Sequence, residues 1–128
     1  MENLKHLVRR LTGNYLQLAV SNKSFFVNDI GDDLPVENNN ERIASIITRL
    51  LSITAHQLKN TCIRLSARKN GYLTVLEIQE SGTINSYALA SDLQHVNLLA
   101  VQIGGFLSIS IPKAKITTIS FSFPGLSS

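Results

Sequence analysis

Residues 62–80 read CIRLSARKNGYLTVLEIQE. Ile63, Leu65 and Ala67 alternate with Arg64, Ser66 and Arg68, the period of two expected of a strand with one buried and one wet face. Asn70-Gly71 is a strong hairpin signal, because glycine and asparagine tolerate the positive φ that a tight turn demands. Leu73 to Glu80 continues as a strand, so the two runs are predicted to pair antiparallel. A sheet that hides only one face must receive its helices on that face. The hairpin therefore predicts a two-layer α/β sandwich.

The flanking segments fit that plan. On the C-terminal side, Ser91-Asp92 can cap a helix whose Leu93, Val96, Leu99, Ala100 and Ile103 face inward. Gly104-Gly105 stops it. Two strands follow, at 106–111 and 116–123, joined through Pro112-Lys113-Ala114-Lys115. Leu107, Ile109 and Ile111 alternate with Phe106, Ser108 and Ser110. Ile119, Phe121 and Phe123 alternate with Thr118, Ser120 and Ser122. Ser108, Ser110, Thr118, Ser120 and Ser122 are thus predicted to share the outer face of the sheet.

On the N-terminal side, a helix is predicted over 41–58. Its core face is Ile43, Ile46, Ile47, Leu50, Leu51 and Thr54, with Glu41, Ser45, Thr48, Ser52 and His56 opposite. The loop before it, 34–40, is rich in residues that turn the chain or cap helices. Phe25, Phe26, Val27 and Ile30 mark a strand over 24–30, ending at Gly31-Asp32-Asp33. Leu4, Leu7, Val8, Leu11, Tyr15 and Leu18 recur at helical spacing and predict a helix over 2–20, which Gly13 weakens by about 1 kcal/mol. The order is helix, strand, helix, strand, strand, helix, strand, strand. No internal repeat, low-complexity tract or boundary interrupts it, so residues 1–128 are expected to form one domain.

The chain has 128 residues, of which 44% are hydrophobic and none is tryptophan, enough for one core. Its charged fraction of 16% is low against the usual value of about 25%. Such a deficit points to a surface covered by a protein partner, by a second copy in a homodimer or by a further domain; the alternative is that Ser, Thr and Asn solvate it. Net charge is +3, but the basic residues are scattered and no aromatic residues are interleaved with them, which argues against a nucleic-acid surface. The single cysteine, Cys62, excludes an internal disulfide and a cysteine metal site. No apolar run approaches the ~20 residues that span a bilayer. The first residues hold no signal-peptide apolar block, so the expected location is cytoplasmic.

Complete catalytic motifs are missing. His6, His56 and His95 have no metal-ligand spacing and fall on or near polar helix faces, where they are read as solvated. There is no GxSxG, P-loop or GxGxxG. Glu77 and Glu80 are three apart on one strand and so point to opposite faces. Gly104-Gly105 is too short to cradle phosphates, and Asp32-Asp33 is expected in a turn for backbone hydrogen bonding alone.

Several strings nevertheless resemble one family, the catalytic ATP-binding domain of sensor histidine kinases, or Bergerat (GHKL) fold. Leu34-Pro35-Val36 with Asn39, Arg42 and Ile43 is similar to that family's LP-V-x-x-D-x-x-R-L lead-in to its main helix. Ser45 to Leu51 is similar to Q-V-L-x-N-L-L. Val96 to Gly105 is similar to I-V-x-x-x-V-x-x-x-G-G, and Thr117 to Pro124 to the closing G-T-x-F-x-F-x-L-P strand. The likeness covers nearly the whole chain. It implies an α+β fold, a two-layer sandwich with a mixed, mostly antiparallel sheet and three helices on one face.

The departures fall on the residues that would hold ATP. Where the family's N-box, N-L-L-x-N-A, has asparagines, this chain has Arg49 and Ile53; the second normally holds the magnesium ion, and isoleucine offers no hard oxygen ligand. The adenine-reading D-x-G-x-G box aligns with Glu80-Ser81-Gly82-Thr83-Ile84. Glu80 and Gly82 survive as remnants, but Glu is one methylene longer than Asp, and the β-branched Ile84 replaces the second glycine. The long lid shrinks to Asn85–Ala90. Ala90-Ser91-Asp92-Leu93 replaces the second glycine box and has no glycine to let backbone amides approach phosphate. The resemblance thus implies weak remnants of an ATP site at Arg49, Ile53, Glu80 and Gly82, no metal site, no catalytic residue and no retained ATP or magnesium cofactor. The expected function is a non-catalytic histidine-kinase-like domain, an interaction or regulatory module in two-component-type signal transduction. The alternatives are a divergent ATP-binding domain using Glu80, Gly82 and Arg49, and a phosphotransferase-like docking domain in which only His6 is eligible for phosphorylation.

Overall fold

The computed structural model describes residues 3–36, 41–80, 86–110 and 116–125. Helix α1, Leu4–Thr12, begins where the Asn3 side chain accepts the His6 amide at 2.9 Å, satisfying one of the donors a helix start leaves open. Its Leu4, Leu7, Val8 and Leu11 are buried. The single helix expected over 2–20 does not form. The chain tightens to a 3₁₀ turn at Gly13–Tyr15 and resumes as α2, Leu16–Ser21. Tyr15 leaves the helical region at φ −120°, ψ 7°. Glycine, which holds helical geometry weakly, stands at that break.

Strand β1, Phe25–Asn28, is shorter than the 24–30 expected. Helix α3, Glu41–Gln57, stands where predicted and buries Ile46, Ile47, Leu50, Leu51, Thr54 and Ala55. Ile43 is only half-buried, at the rim of that face. Strands β2, Cys62–Asn70, and β3, Leu73–Glu80, pair antiparallel with Asn70 opposite Leu73. Gly71, at φ 63°, makes the turn between them. On the wet face of the hairpin Arg68 pairs with Glu77, and Arg64 reaches Asp29 at 3.4 Å. Cys62 is a free, half-buried thiol.

Helix α4 runs over Ser86–Gln102 and therefore begins well before Ser91-Asp92. Residues 86–90, expected as part of a short link, are helical. Asp92 does not cap the helix; its carboxylate takes a hydrogen bond from Gln57 of α3. Gly104, at φ 81°, ends the passage out of the helix. Strands β4, Phe106–Ser110, and β5, Thr117–Pro124, complete the sheet. The strand order is β1-β2-β3-β5-β4, with β1 parallel to β2 and every other pair antiparallel.

The helices lie on the face carrying Ile63, Leu65, Leu76, Ile78, Ile119, Phe121 and Phe123, all buried. This is the predicted two-layer α+β sandwich with an open, mostly antiparallel sheet. On the other face Ser108 lies opposite Ser120 and Ser110 opposite Thr118, as the alternation predicts. Ser122 departs from that expectation. It shares the outer register, yet flanked by Val75 of β3 and Phe106 of β4 it is buried.

The edge-facing amide of Leu107 is capped by the Asn97 side chain of α4 at 2.8 Å. Asn97→Ala leaves that partly buried donor to solvent, and the expected cost is about 1 kcal/mol. Hydrogen exchange at Leu107 should quicken while Phe121 amide protection is kept. Equal protection at Leu107 in both proteins would remove the cap from the account.

Candidate functional site

Helices α3 and α4 pack side by side and leave an open groove of about 440 Å³ between them. From α3 it takes Arg49, Ser52, Ile53, His56 and Gln57, and from α4 Asp92, His95 and Val96. The spacings are one helical stripe on each side (i, i+3, i+4, i+7, i+8 and i, i+3, i+4), so each stripe faces its neighbour. The polar stripe of α3 predicted as its solvent side is in part a wall of this groove.

Two hydrogen bonds organise it. The Gln57 amide nitrogen donates to Asp92 Oδ2 and ties the helices together. His56 Nδ1 lies 2.7 Å from the Ser52 carbonyl oxygen. A carbonyl only accepts, so the proton sits on Nδ1 and Nε2 is the ring's remaining polar atom. Gln57 Oε1 is buried and has no hydrogen-bond partner among the described residues. Arg49 is exposed and makes no ion pair with a described residue, unlike Arg64 and Arg68.

The structure brings together only part of the expected remnant. Arg49 and Ile53 face the groove. Glu80, at the end of β3, is buried opposite Thr117 of β5. Glu80 takes part in an interaction within the protein, and it is not among the described residues that line the groove. Gly82 and Ile84 lie outside the described residues. His56 and His95 are exposed as predicted, but they share one groove, which two separate helix patterns could not disclose. His6 is exposed on α1, apart from this groove.

A magnesium ion, which the resemblance would place beside the triphosphate, does not suit this donor set. It demands near-octahedral oxygen coordination. Among the described residues the groove's oxygen atoms are those of Ser52, the Asp92 carboxylate already engaged by Gln57, and the buried Gln57 carbonyl. Ile53 contributes none. No cluster of three His, Cys, Asp or Glu able to hold a metal occurs among the described residues, and none of the described helices is long and apolar enough to cross a membrane.

The fold, an open and mostly antiparallel five-stranded sheet with its helices on one face, matches that of the catalytic domains of sensor histidine kinases. The chain is similar to the histidine kinase AdeS of Acinetobacter baumannii, with a TM-score of 0.80 at 14% identity, over 98% of this chain and 66% of that one. It is similar to the nucleotide-free catalytic domain of histidine kinase ThkA, with a TM-score of 0.75 at 15% identity, over 97% and 93% of the two chains. The mycobacterial sensor histidine kinase MprB gives a TM-score of 0.75 at 13% identity, over 99% and 97%. No family model and no curated protein matches the sequence. The likeness is one of fold.

Proposed function

We propose that this chain is a histidine-kinase-like domain that does not work as an ATPase and serves as an interaction or regulatory module in two-component-type signalling. The observation that carries the reading is the groove itself. Arg49 and Ile53 occupy the positions that align with the family's two asparagines, and both face the space between α3 and α4. Ile53 offers no oxygen at the position that aligns with the family's second asparagine, and a triphosphate bound through magnesium loses that bridge to the protein. Catalysis of phosphoryl transfer is almost entirely positioning and charge stabilisation, so losing the metal removes most of it. The hydroxyl-rich part of the outer face over β4 and β5, with Ser108 and Ser110 exposed and Thr118 and Ser120 half-buried, can be covered by a protein partner or a second copy at little desolvation cost, with the paired Arg68 and Glu77 at its margin.

One observation favours a second reading, a divergent ATP-binding domain. Glu80 remains a buried carboxylate at the end of β3, set against Thr117, where the resemblance places the adenine reader. Thermal melting with millimolar magnesium-ATP separates the two. A ligand at 100 times its dissociation constant stabilises by about 2.7 kcal/mol. The expected result is no shift. A clear rise that Glu80→Ala abolishes would overturn the non-catalytic reading.

A further inference from the structure

We infer that the rim where helix α4 meets the open edge of strand β4 docks a second copy of this chain, with β4 pairing antiparallel to its own counterpart about a two-fold axis at Ile109. This goes beyond the proposed function and concerns a surface other than the α3–α4 groove.

Charge marks the surface out. Of the chain's twelve Lys and Arg and nine Asp and Glu, only Asp92, Lys113 and Lys115 lie beyond Glu80, and none lies in residues 93–112. The low charge of the whole sequence is therefore a property of the half built from α4, β4 and β5. The rim of that half is apolar instead. Leu98 and Val101 of α4 are 64% and 57% exposed, and Phe106 and Ile109 of β4 are 48% and 37% exposed. Between the two elements lies a cleft of about 220 Å³, bounded by Ala90, Gln94 and Asn97 on one side and Leu107 and Ile109 on the other. Ala90, Gln94, Asn97 and Val101 fall along one stripe of the helix, with Leu98 beside it, so the exposed residues extend the wall of the cleft.

The strand edge gives the surface a direction. Leu107 turns its amide away from β5 and toward Asn97, and Ile109, two residues further on, shares that orientation. Asn97 occupies the Leu107 N–H, whereas the Ile109 N–H and C=O point off the end of the sheet with no partner among the described residues. A protein that stays monomeric guards such an edge with charge or proline. Strand β1, at the other end of the sheet, is bracketed by Lys23 and Asp29, but Phe106–Ser110 carries neither a charged residue nor a proline.

Symmetry and charge select the occupant. About a two-fold axis at Ile109, the N–H of one copy meets the C=O of the other in both directions, and Asn97 keeps its hold on Leu107. The two sheets then continue into one, with the two α4 helices side by side over the seam at about 8–10 Å. Leu98 and Val101 face their own counterparts, and two chains of net charge +3 meet where neither carries charge. An uncharged surface has no means of selecting a different partner by electrostatic complementarity. A match to its own image is all that a two-fold interface requires. Helix α4 has 17 residues, about 25 Å of length, and the two layers are about 20 Å thick, so each copy covers about 500 Å². That is less than the standard of about 800 Å² per partner, and the expected dimer is reversible, with micromolar affinity.

Sedimentation velocity of the full chain from about 1 to about 200 µM tests this. The expected result is a monomer–dimer equilibrium that about 0.5 M salt does not weaken, since no charge lies at the seam. Amide exchange at Ile109 should slow as protein concentration rises, while exchange at Leu107 stays constant. Ile109→Lys sets like charges against each other at the axis and should leave the protein monomeric. Val101→Lys, at an exposed helix position where the fold is retained, should weaken dimerisation at least tenfold. Val20→Lys, at an exposed apolar position on α2 beside the other end of the sheet, should leave it unchanged. A monomer at about 200 µM, a dimer that salt dissociates, a dimer untouched by Val101→Lys, an equal loss in Val20→Lys, or Ile109 exchange independent of concentration would each overturn the proposal. So would a monomer that takes an unrelated extended peptide along β4. None of these outcomes touches the reading of the α3–α4 groove, which the magnesium-ATP titration decides.

Discussion

Replacing Phe121 by alanine is expected to cost about 3–5 kcal/mol and to lower the melting temperature by about 15 °C. Phe121 is wholly buried in β5, opposite Leu76 of β3 and Leu107 of β4, with its ring 4.8 Å from that of Phe123. It sits where the central strand of the sheet's second half meets the helix layer. Alanine removes the ring and leaves a cavity that the flanking strands cannot close without breaking their register. Urea denaturation measures the loss directly. Phe121→Leu, which keeps most of the volume, should recover about half of it. A loss below about 1 kcal/mol for the alanine variant would mean that the core is not packed around this ring.

The second large effect is a matter of space between backbones. A Cβ on Gly105 would stand 2.2 Å from the Ser122 carbonyl oxygen and 3.2 Å from the Phe123 Cα. Those atoms belong to β5 and cannot rotate aside. Gly105→Ala must push the start of β4 away from β5, breaking the pairing of Phe106 with Ser122. The expected cost is about 3 kcal/mol, or about 10 °C in melting temperature. Gly13→Ala is the internal control. It has φ −54° and no atom within 4 Å of the new methyl, so it should be neutral or stabilise by up to about 1 kcal/mol. Similar losses in the two variants would show that the Gly105 contact is not what decides.

Most of the fold was legible because local pattern and tertiary placement agree in it. The hairpin, α3, and the alternation in β4 and β5 each carry a period that only one buried face can satisfy. The misreadings have local causes. Ser91-Asp92 looks like a helix start, but Asp92 is recruited by Gln57 from another helix, an interaction no linear pattern contains. The break at Gly13 was visible only as a weakness, since spacing alone does not say whether a weak point yields. Ser122 follows the outer alternation yet is covered by neighbours contributed by two other strands. Motif alignment singles out Arg49 and Ile53, and the structure places both on the wall of one groove. His56 and His95 are exposed, as their helix faces predict, but their sharing of one groove is not in the sequence, since nothing there says that the two helices carrying them are neighbours.

The strand order has a consequence for how this protein is made. β5 lies between β3 and β4, yet it is the last of the described elements to be synthesised. A nascent chain that has released β4 therefore has nothing for that strand to pair with, and β3 keeps an open edge. The gap between Ser110 and Pro124 takes about 1–3 s to translate at about 5–20 residues per second. Until it closes, β3 and β4 are unpaired edges of the kind that recruit foreign strands. The sheet cannot close until β5 is available, and until then both edges stay open to other strands.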